Sequence, residues 1–459
     1  MAEQSIITIM HTNDLHSHFE NWPKIRRYLS GQKKILGLGD NGVLTVDIGD
    51  ALDLVHPLTE ATAGIINVEL LNQIGYDAVT IGNNEGLSLQ HDKLQKLYND
   101  ANFPVTVANI KDLRTNKQPS WCQEVVYQVM PDGTKVAMIG MTAPFVETYP
   151  LREWGIGEVA PILAAMLPQI NAQADVIILL SHLGLPEDRR LAQMFPTLDV
   201  IIGAHTHHRL EKGEMLNNTL IAAAGKWGRY IGKISLTIEN HKVVSKVARL
   251  VTTSDLPDED TDIAEIQGLQ DAGLEQLRAA KVAYLPKPLL RADNSFMDAL
   301  FAMLVQKTGI KAALLSTGLV LGDLPAGEVT KADLLALLPH QMYVMQTMLT
   351  GKELKRLLQE IHKNAEFVSA FAMVGLGFRG KLVGDIQLCE MAIDIHKGQL
   401  TYQNQLIDDN KQYQFVSLDY YKYLPFFPTI DLVGENKIMM QKMLREDFAD
   451  YLAQNFPIK

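Results

Sequence analysis

Acidic, amide and imidazole side chains recur at the ends of strand-like segments in the first half of the chain. The segments that show this pattern are "IITIMHTNDLH" from Ile6, "GVLTVDIGD" from Gly42, "DAVTIGNNE" from Asp77, "DVIILLSHLG" from Asp175 and "LDVIIGAHTHH" from Leu198. In an open α/β sheet, the carboxyl ends of the strands border the ligand crevice. We therefore expect these five strand ends to belong to one sheet and to bring their polar side chains together.

Asp, His and Asn supply oxygen and nitrogen ligands that suit zinc, manganese, iron or cobalt. The strand ends carry enough of them for two ions, and a metal pair about 3.5–4 Å apart can clamp phosphoryl oxygens and lower the pKa of a water. Asp50 follows Gly49, which permits close approach, so Asp50 is the candidate for a ligand shared by both ions. Any one of these pairs alone is more typical of a surface or turn, but the five together indicate a binuclear centre.

Short apolar runs alternate with helical patterns up to about Val251, which predicts an α/β layered architecture. "PVTVANI" from Pro104 and "KVAMIGMT" from Lys135 are also predicted strands, and Asp132-Gly133 is the predicted turn of a hairpin. Helices are predicted in "TAGIINVELLNQIG" and "LSLQHDKLQKLYND".

The composition changes after Val251, where "TTSDLPDEDTDIAEIQ" is acidic and rich in turn residues and precedes an amphipathic helical pattern. Strands and helices then resume in "KAALLST", "YVMQTMLT", "QYQFVSLDYY" and "GKELKRLLQEIHKN". We predict a first domain at 1–255, a linker and helix at 256–285, and a second domain at 286–459.

The chain of 459 residues is 47% hydrophobic and 21% charged, which is typical of soluble globular proteins. Its net charge of −11 argues against nucleic acid and anionic membranes as partners. Two cysteines are too few for a disulfide framework, and the first residues lack a leader pattern, so a cytoplasmic location is expected. The oligomeric state is left open.

The blocks "TIMHTNDLHSHF", "VDIGD", "GNNE", "LLSHLG" and "GAHTHH" resemble the motifs of calcineurin-like metallophosphoesterases, and specifically of the two-domain 5′-nucleotidases. The segment from Leu314 to Leu358 resembles the start of that family's C-terminal substrate domain. The resemblance implies a four-layer α/β/β/α first domain and an α/β substrate domain.

The resemblance also implies a mechanism in which two divalent ions, Mn or Zn, hold the hydroxide that attacks phosphorus in a small phosphorylated substrate, a nucleotide. One ion would be held by Asp14, His16, Asp50 and His207, and the other by Asp50, Asn83, His182 and His205. Glu85 is expected to support its loop by hydrogen bonds, and Asp47 to lie behind the ligands.

The family pattern Gly-Asn-His-Glu, followed by an Asp two residues later, is altered here. Asn84 stands where the catalytic His is expected and Leu87 where its Asp partner is expected. Asn84 can donate a neutral hydrogen bond to a phosphoryl oxygen but cannot be a general acid, a loss worth roughly 10²–10⁴-fold. We therefore expect a preference for phosphoanhydrides or activated esters, unless His18 or His91 replaces the missing residue.

Two other interpretations stay open. A metal- and nucleotide-binding or sensing protein with slow turnover would also explain the lost pair, and the wider superfamily includes phosphodiesterases. In the second domain, Leu321 stands where the family has an Arg, so substrate contacts are predicted instead at other residues. These are Arg379 for phosphate, and Tyr420, Tyr421 and Phe427 for ring stacking, although such aromatic residues also suit a core.

Overall fold

In a computed structural model, residues 4–37, 41–373, 375, 377–394 and 397–458 are described. The chain forms two compact units, Met1–Gly273 and Leu274–Lys459. The division falls inside the helix Asp262–Ala279, within the segment predicted as a linker.

The first unit contains two main sheets. Its strands are β1 (Gln4–Thr12), β2 (Gly42–Asp47), β3 (Ala78–Val79), β4 (Ile110–Asp112), β5 (Val125–Val129), β6 (Lys135–Thr142), β7 (Trp154–Ile156), β8 (Val176–His182), β9 (Val200–Gly203), β10 (Glu214–Leu216), β11 (Thr219–Ala222), β12 (Tyr230–Glu239) and β13 (Lys242–Thr252). One sheet has the order β13-β12-β1-β2-β3 and the other has the order β10-β11-β9-β8-β6-β5. The runs β1-β2-β3 and β6-β8-β9 are parallel.

The helices of this unit are α1 (Trp22–Leu36), α2 (Pro57–Thr62), α3 (Ile65–Asn72), α4 (His91–Leu97), α5 (Val159–Asn171), α6 (Leu185–Met194) and α7 (Asp262–Ala279). The helix predicted in "TAGIINVELLNQIG" begins at Ile65, because Ala63 and Gly64 both adopt left-handed backbone conformations that separate α3 from α2. A single π-helical turn covers Asn84–Ser88.

Side chains of β8 show how the layers form. Ile178 and Leu180 belong to the core between the two sheets, together with Ile9 and Val46. Ile177 and Leu179 face the opposite way and join a second core with α5 and α6. Both faces of β8 are therefore buried, which explains its unbroken apolar run. The predicted four-layer arrangement is confirmed.

The prediction that the five polar strand ends belong to one sheet is wrong. β1, β2 and β3 lie in the first sheet, whereas β8 and β9 lie in the second. Both sets are parallel and buried on two faces, so their sequences carry no sign of which sheet they join. "PVTVANI" is also largely irregular, with isolated bridges at Val105 and Thr106 before β4. The predicted hairpin at Asp132-Gly133 is confirmed between β5 and β6.

The acidic segment after β13 is bound to α1 of the same unit. Arg27 pairs with Asp262 through both guanidinium nitrogens, and Lys24 Nζ lies 2.7 Å from Asp258 Oδ1. Arg26 forms a similar two-point pair with Glu265. The acidic residues of this segment therefore fix the start of α7 onto the first unit.

The second unit is built around a five-stranded sheet with the order β18-β15-β22-β17-β23. Its strands are β14 (Lys281–Leu285), β15 (Ala313–Ser316), β16 (Gly327–Thr330), β17 (Tyr343–Thr350), β18 (Ile386–Cys389), β19 (Met391–Asp394), β20 (Gln399–Tyr402), β21 (Gln405–Leu406), β22 (Gln412–Leu418) and β23 (Glu435–Met443). Its helices are α8 (Ser295–Thr308), α9 (Lys331–Leu337), α10 (Gly351–Ala370), α11 (Tyr420–Tyr423), α12 (Pro428–Val433) and α13 (Leu444–Asn455). Among the described residues, no helix is long and apolar enough to cross a membrane.

A buried carboxyl on α6 makes a pH-dependent contribution to stability. Asp188 accepts a hydrogen bond from Ser181, and burial raises the pKa of its carboxyl from 3.8 to about 8. The folded chain keeps this proton while the unfolded chain releases it above pH 3.8. The contribution is therefore complete below that pH and is lost as the pH rises toward 8.

We expect the unfolding free energy of the wild type to fall relative to Asp188→Asn by up to about 1.4 kcal/mol per pH unit across this window. Urea denaturation of both proteins between pH 5 and pH 8.5, with a chelator present, measures the difference. Parallel pH curves for the two proteins would contradict the prediction.

Candidate metal centre

The loops after β1 and β2 continue side by side beyond the sheet and carry three of the proposed ligands. Asp14 N donates to Gly49 O at 3.0 Å, and His16 N donates to Asp50 O at 2.9 Å. The parallel register of the two strands is thus extended into their loops. Asp14 and Asp50 are buried, and His16 is partly buried, at the same edge of the first sheet.

The second sheet brings imidazoles to the same place. His182 is the last residue of β8, and its Nε2 lies 3.4 Å from Oδ2 of Asp50. Nε2 of His207, after β9, lies 3.5 Å from Oδ1 of Asp14. The backbone N–H of His205 donates to the Asp14 carboxylate at 3.1 Å, so this carboxylate joins the two sheets.

These side chains form two groups compatible with metal ions in the described part of the chain. Asp14, His16 and His207 form one group, and Asp14, Asp50 and His182 form the other. In each group the potential ligand atoms all lie within 4.8 Å of one another. His205 lies outside both groups, but its ring centroid is 5.3 Å from that of His182.

Five of the seven proposed ligands have left-handed backbone conformations. Their φ angles are Asp14 50°, His16 49°, Asp50 51°, His205 70° and His207 56°. A residue other than glycine in this region costs of order 1–3 kcal/mol, and such strain is concentrated at functional sites. These backbone conformations lower the stability of the folded chain, and they orient the side chains toward the candidate metal centre.

Two glycines allow the loops after β2 and β3 to come this close. A Cβ on Gly49 would lie 2.3 Å from Gly82 N, and a Cβ on Gly82 would lie 2.1 Å from Asp50 Oδ1 and 2.5 Å from His182 Cε1. Position 82 therefore has no room for a side chain without moving both Asp50 and His182.

We expect Gly82→Ala to lower bound metal to less than about one tenth of the wild-type amount, because displaced ligands lose coordination geometry. Metal content after dialysis, measured by mass spectrometry, checks this. Gly31→Ala is the control, since a Cβ there meets nothing within 4 Å on α1. Equal metal content in Gly82→Ala and wild type would contradict the expectation.

Two lone pairs at the centre fit a metal. His182 Nδ1 lies 2.7 Å from Ile48 O and donates to it, which leaves the Nε2 lone pair directed toward Asp50. Nε2 of His182 and Oδ1 of Asn83 are both buried without a hydrogen-bond partner among the described residues. Buried acceptors without partners are costly, and coordination to a cation would satisfy both.

The electrostatics of the centre also favour a cation. Burial opposes protonation of His182, yet the Asp50 carboxylate outweighs it and raises the His182 pKa to about 10, so a proton competes with a metal ion for the Nε2 lone pair. Burial likewise opposes ionisation of Asp50, and His182 outweighs it and lowers the Asp50 pKa. The buried carboxylates thus attract positive charge strongly enough to overcome desolvation.

Two further acids support the loops as predicted. Glu85 accepts from Asp50 N at 3.0 Å and from Gly82 N at 2.8 Å, and burial raises its pKa to about 7. Asp47 lies behind the centre, where it accepts from Thr12 Oγ1 at 2.6 Å and from Gly49 N at 3.0 Å.

Asn84 lies against a backbone carbonyl and a proposed ligand. Its Nδ2 donates to Leu52 O at 2.9 Å and lies 3.0 Å from His16 Nδ1. The amide thus borders the His16 ring, whose Nε2 faces Asp14 and Asp50. The hydrogen bond from Asn84 to a phosphoryl oxygen stays a prediction.

The histidines considered as replacements for the missing residue have other partners. His91 is buried, stacked on Trp154 and 3.2 Å from Asp112. His18 pairs with Glu20 at 2.7 Å. The structure thus supplies neither as a substitute at position 84.

The predicted substrate residues of the second unit are mostly in its core. Tyr420, Tyr421 and Phe427 are at most 1% exposed and belong to the hydrophobic cluster around α10 and β22, where they present no free ring face. The core alternative therefore describes them, because Tyr420 and Tyr421 lie in the short helix after β22 and Phe427 lies directly before α12, and all three rings are buried. Arg379 is exposed, and its backbone N–H donates to the buried His340.

Asn13 was missed by the sequence analysis. Its Nδ2 donates to Asp14 Oδ2 at 2.8 Å and to Gly225 O at 2.7 Å, so it orients a proposed ligand. Its position directly before Asp14 is the one signal that the sequence offers.

Comparison with known proteins agrees with this geometry. Residues 7–209 match the model of the calcineurin-like phosphoesterase family, and residues 289–423 match the 5′-nucleotidase C-terminal domain. The uncharacterised metallophosphoesterase YunD of Bacillus subtilis is 33% identical, over 98% of this chain and 99% of its own length. The 5′-nucleotidase of Vibrio cholerae is 24% identical over 76% of this chain and 74% of its own length.

Among solved structures, the NAD nucleotidase of Haemophilus influenzae has the same fold, with a TM-score of 0.67 and 16% identity over 99% of this chain and 97% of that one. Calcineurin-like phosphoesterases use two divalent metals, and the Asp and His groups described above are of the kind that such metals bind. Because the relationship to the Bacillus protein covers the whole chain, this protein belongs to the calcineurin-like phosphoesterases with a 5′-nucleotidase C-terminal domain, hydrolases that act on phosphate esters.

Proposed function

We propose that this protein is a two-metal phosphohydrolase that acts on nucleotides or related phosphate compounds and prefers phosphoanhydrides or activated esters to nucleoside monophosphates. The observation that carries the proposal is a full set of ligand residues combined with the paired replacement at Asn84 and Leu87. Relatives that are 5′-nucleotidases support nucleotides as the substrate class.

The ligands are proposed as Asp14, His16, Asp50 and His207 for one ion, and Asp50, Asn83, His182 and His205 for the other. Manganese or zinc suits a site with four imidazoles better than magnesium does. When bound, the metals would supply a nucleophilic hydroxide and neutralise the phosphoryl oxygens.

The side chains of this protein orient the ligands and set the leaving-group preference. Asn84 holds His16 by its ring Nδ1 and provides no proton for a leaving oxygen. A ribose alkoxide is a poor leaving group that needs such a proton, whereas a phosphate or phenolate leaves without one. Glu85 and Asn13 keep Asp50 and Asp14 in position.

A substrate comparison on manganese-loaded protein tests the function. Turnover of ADP, UDP-glucose and an aryl phosphate is expected to exceed that of AMP, with Asp50→Asn as the blank. An AMP rate well above the ADP rate would contradict the anhydride preference. Faster turnover of a bis-aryl than of a mono-aryl phosphate would indicate a phosphodiesterase.

A binding or sensing role is the second candidate, and the missing His–Asp pair together with Leu321 in place of the family's Arg favours it. Tight nucleotide binding without turnover of any of these compounds would support that role. We also propose a reducing compartment, the cytoplasm, because Cys122 and Cys389 are both free thiols.

A further inference from the structure

The loop Gly225–Arg229 holds a tryptophan in a backbone conformation that this residue rarely adopts. Gly225, Trp227 and Gly228 have φ angles of 71°, 66° and 62°. Glycine adopts this region freely, but a tryptophan there is a true outlier, at a cost of order 1–3 kcal/mol. The surroundings must therefore hold Trp227 in place.

The contacts that hold this loop come from the metal centre. Trp227 N donates to the backbone oxygen of Asp14 at 2.8 Å. Asn13 Nδ2 donates both to Gly225 O and to the Asp14 carboxylate, at 2.7 and 2.8 Å. Asn21 Nδ2 also donates to Trp227 O at 3.3 Å. The loop is thus attached at two points to a proposed ligand and keeps a defined position relative to it.

This loop, whose backbone is bonded to Asp14, presents two cations on an aromatic support. Lys226 Nζ lies 4.1 Å, and Arg229 Cζ 4.6 Å, from the centroid of the Trp227 ring. The His18 ring, two residues after His16, stacks on the same indole at 4.5 Å. Lys226 and Trp227 are half-buried and Arg229 is exposed, so a ligand can reach the cations. The Glu20 carboxylate bonds to His18 in this surface and also interacts electrostatically with Arg229, so a phosphate would compete with Glu20 for that arginine.

We infer that Lys226 and Arg229, supported by Trp227, form a subsite for the phosphate of an anionic leaving group. The inference rests on the proposed phosphoanhydride preference and names the residues that receive the second phosphate. The terminal phosphorus of a nucleoside diphosphate would lie at the metal centre, and the phosphate linked to the nucleoside would lie at the cations.

The chemistry of this step balances without a general acid. Water oxygen forms a bond to the terminal phosphorus, the bond from that phosphorus to the bridging oxygen breaks, and its electron pair leaves with the nucleoside monophosphate. The proton of the water is released to solvent. Negative charge grows on the leaving phosphate, and charge-assisted hydrogen bonds from Lys226 and Arg229 stabilise it. This reaction needs no proton donor at position 84, which agrees with the asparagine found there.

The test compares substrates and inert analogues with and without a second phosphate. Lys226→Gln, Arg229→Gln and the double variant leave Trp227 in place, and Arg229→Lys is the conservative variant. Arg189→Gln is the matched control, because Arg189 is an exposed arginine of α6 that pairs with Glu214. Turnover is measured with ADP and p-nitrophenyl phosphate, and calorimetry on manganese-loaded protein measures binding of methylenediphosphonate and phenylphosphonate.

We expect the double variant to lose about 10–100-fold in kcat/KM for ADP and in affinity for the diphosphonate, since charged hydrogen bonds are worth roughly one tenfold factor or more each. In the double variant, kcat/KM for the aryl phosphate and the affinity for phenylphosphonate should change less than about twofold. Arg229→Lys should stay close to wild type with ADP and with the diphosphonate. Equal losses for both classes, or no loss for either, would overturn the inference. If the wild type hydrolyses no anhydride, the proposed function fails, while the diphosphonate binding still decides whether the subsite exists.

Discussion

Asp50→Asn is expected to lower kcat for any phosphate substrate by at least about 10³-fold, which corresponds to about 4 kcal/mol of lost transition-state stabilisation. Asp50 Oδ2 lies 3.4 Å from His182 Nε2 and 3.8 Å from His16 Nε2, so one carboxylate reaches imidazoles from both sheets. An amide there carries no charge and cannot bridge two cations. The variant should also bind less metal than wild type.

The fold of this variant should persist. Asp50 has a φ of 51°, and asparagine tolerates the left-handed region better than most residues. Asp112→Asn is the control, because Asp112 is a buried carboxylate that pairs with His91 outside the proposed ligand set. Activity within tenfold of wild type, at full metal occupancy, would show that Asp50 is not a bridging ligand.

Restoring the family's pair should produce the second large effect. In Asn84→His with Leu87→Asp, we expect the rate with AMP to rise by about 10²-fold or more, since general acid catalysis is worth roughly 10²–10⁴-fold. The two positions lie three residues apart on the π-helical turn Asn84–Ser88, which is the spacing of the His and Asp in the family's pattern. The side chain at 84 already reaches within 3.0 Å of His16.

The single variants separate the two contributions. Asn84→His alone should give a smaller gain, because its ring lacks an orienting partner, and Leu87→Asp alone should give none. The rate with ADP should change little in all three, since its leaving group needs no proton. An unchanged AMP rate in the double variant, with wild-type metal content, would mean that the lost pair does not explain the substrate preference.

The sequence by itself identified the residue types at the strand ends and the order in which these strands follow one another along the chain. This was possible because parallel strands buried on both faces are mostly apolar, and the ligand-type side chains then stand out where the strands end. The hairpin at Asp132-Gly133 was predictable for a similar local reason, since this dipeptide suits a tight turn.

Which sheet each strand joins was decided by tertiary structure. β1–β3 and β8–β9 have the same apolar pattern, and only the packing between sheets brings His182 and His207 to the carboxylates of Asp50 and Asp14. The burial of Tyr420, Tyr421 and Phe427 also depended on packing, because aromatic residues after a strand suit a core and a ligand surface equally.

The contacts of Asn84 and Trp227 had no local signal at all. The Asn84 amide contacts Leu52 O and His16, which a linear pattern cannot show. Asn13 and Gly225 are 212 positions apart, yet their hydrogen bond ties the cationic loop to Asp14. Local residue chemistry thus indicated which side chains are candidate metal ligands. Contacts between residues far apart in sequence decided how those side chains are oriented and which residues surround them.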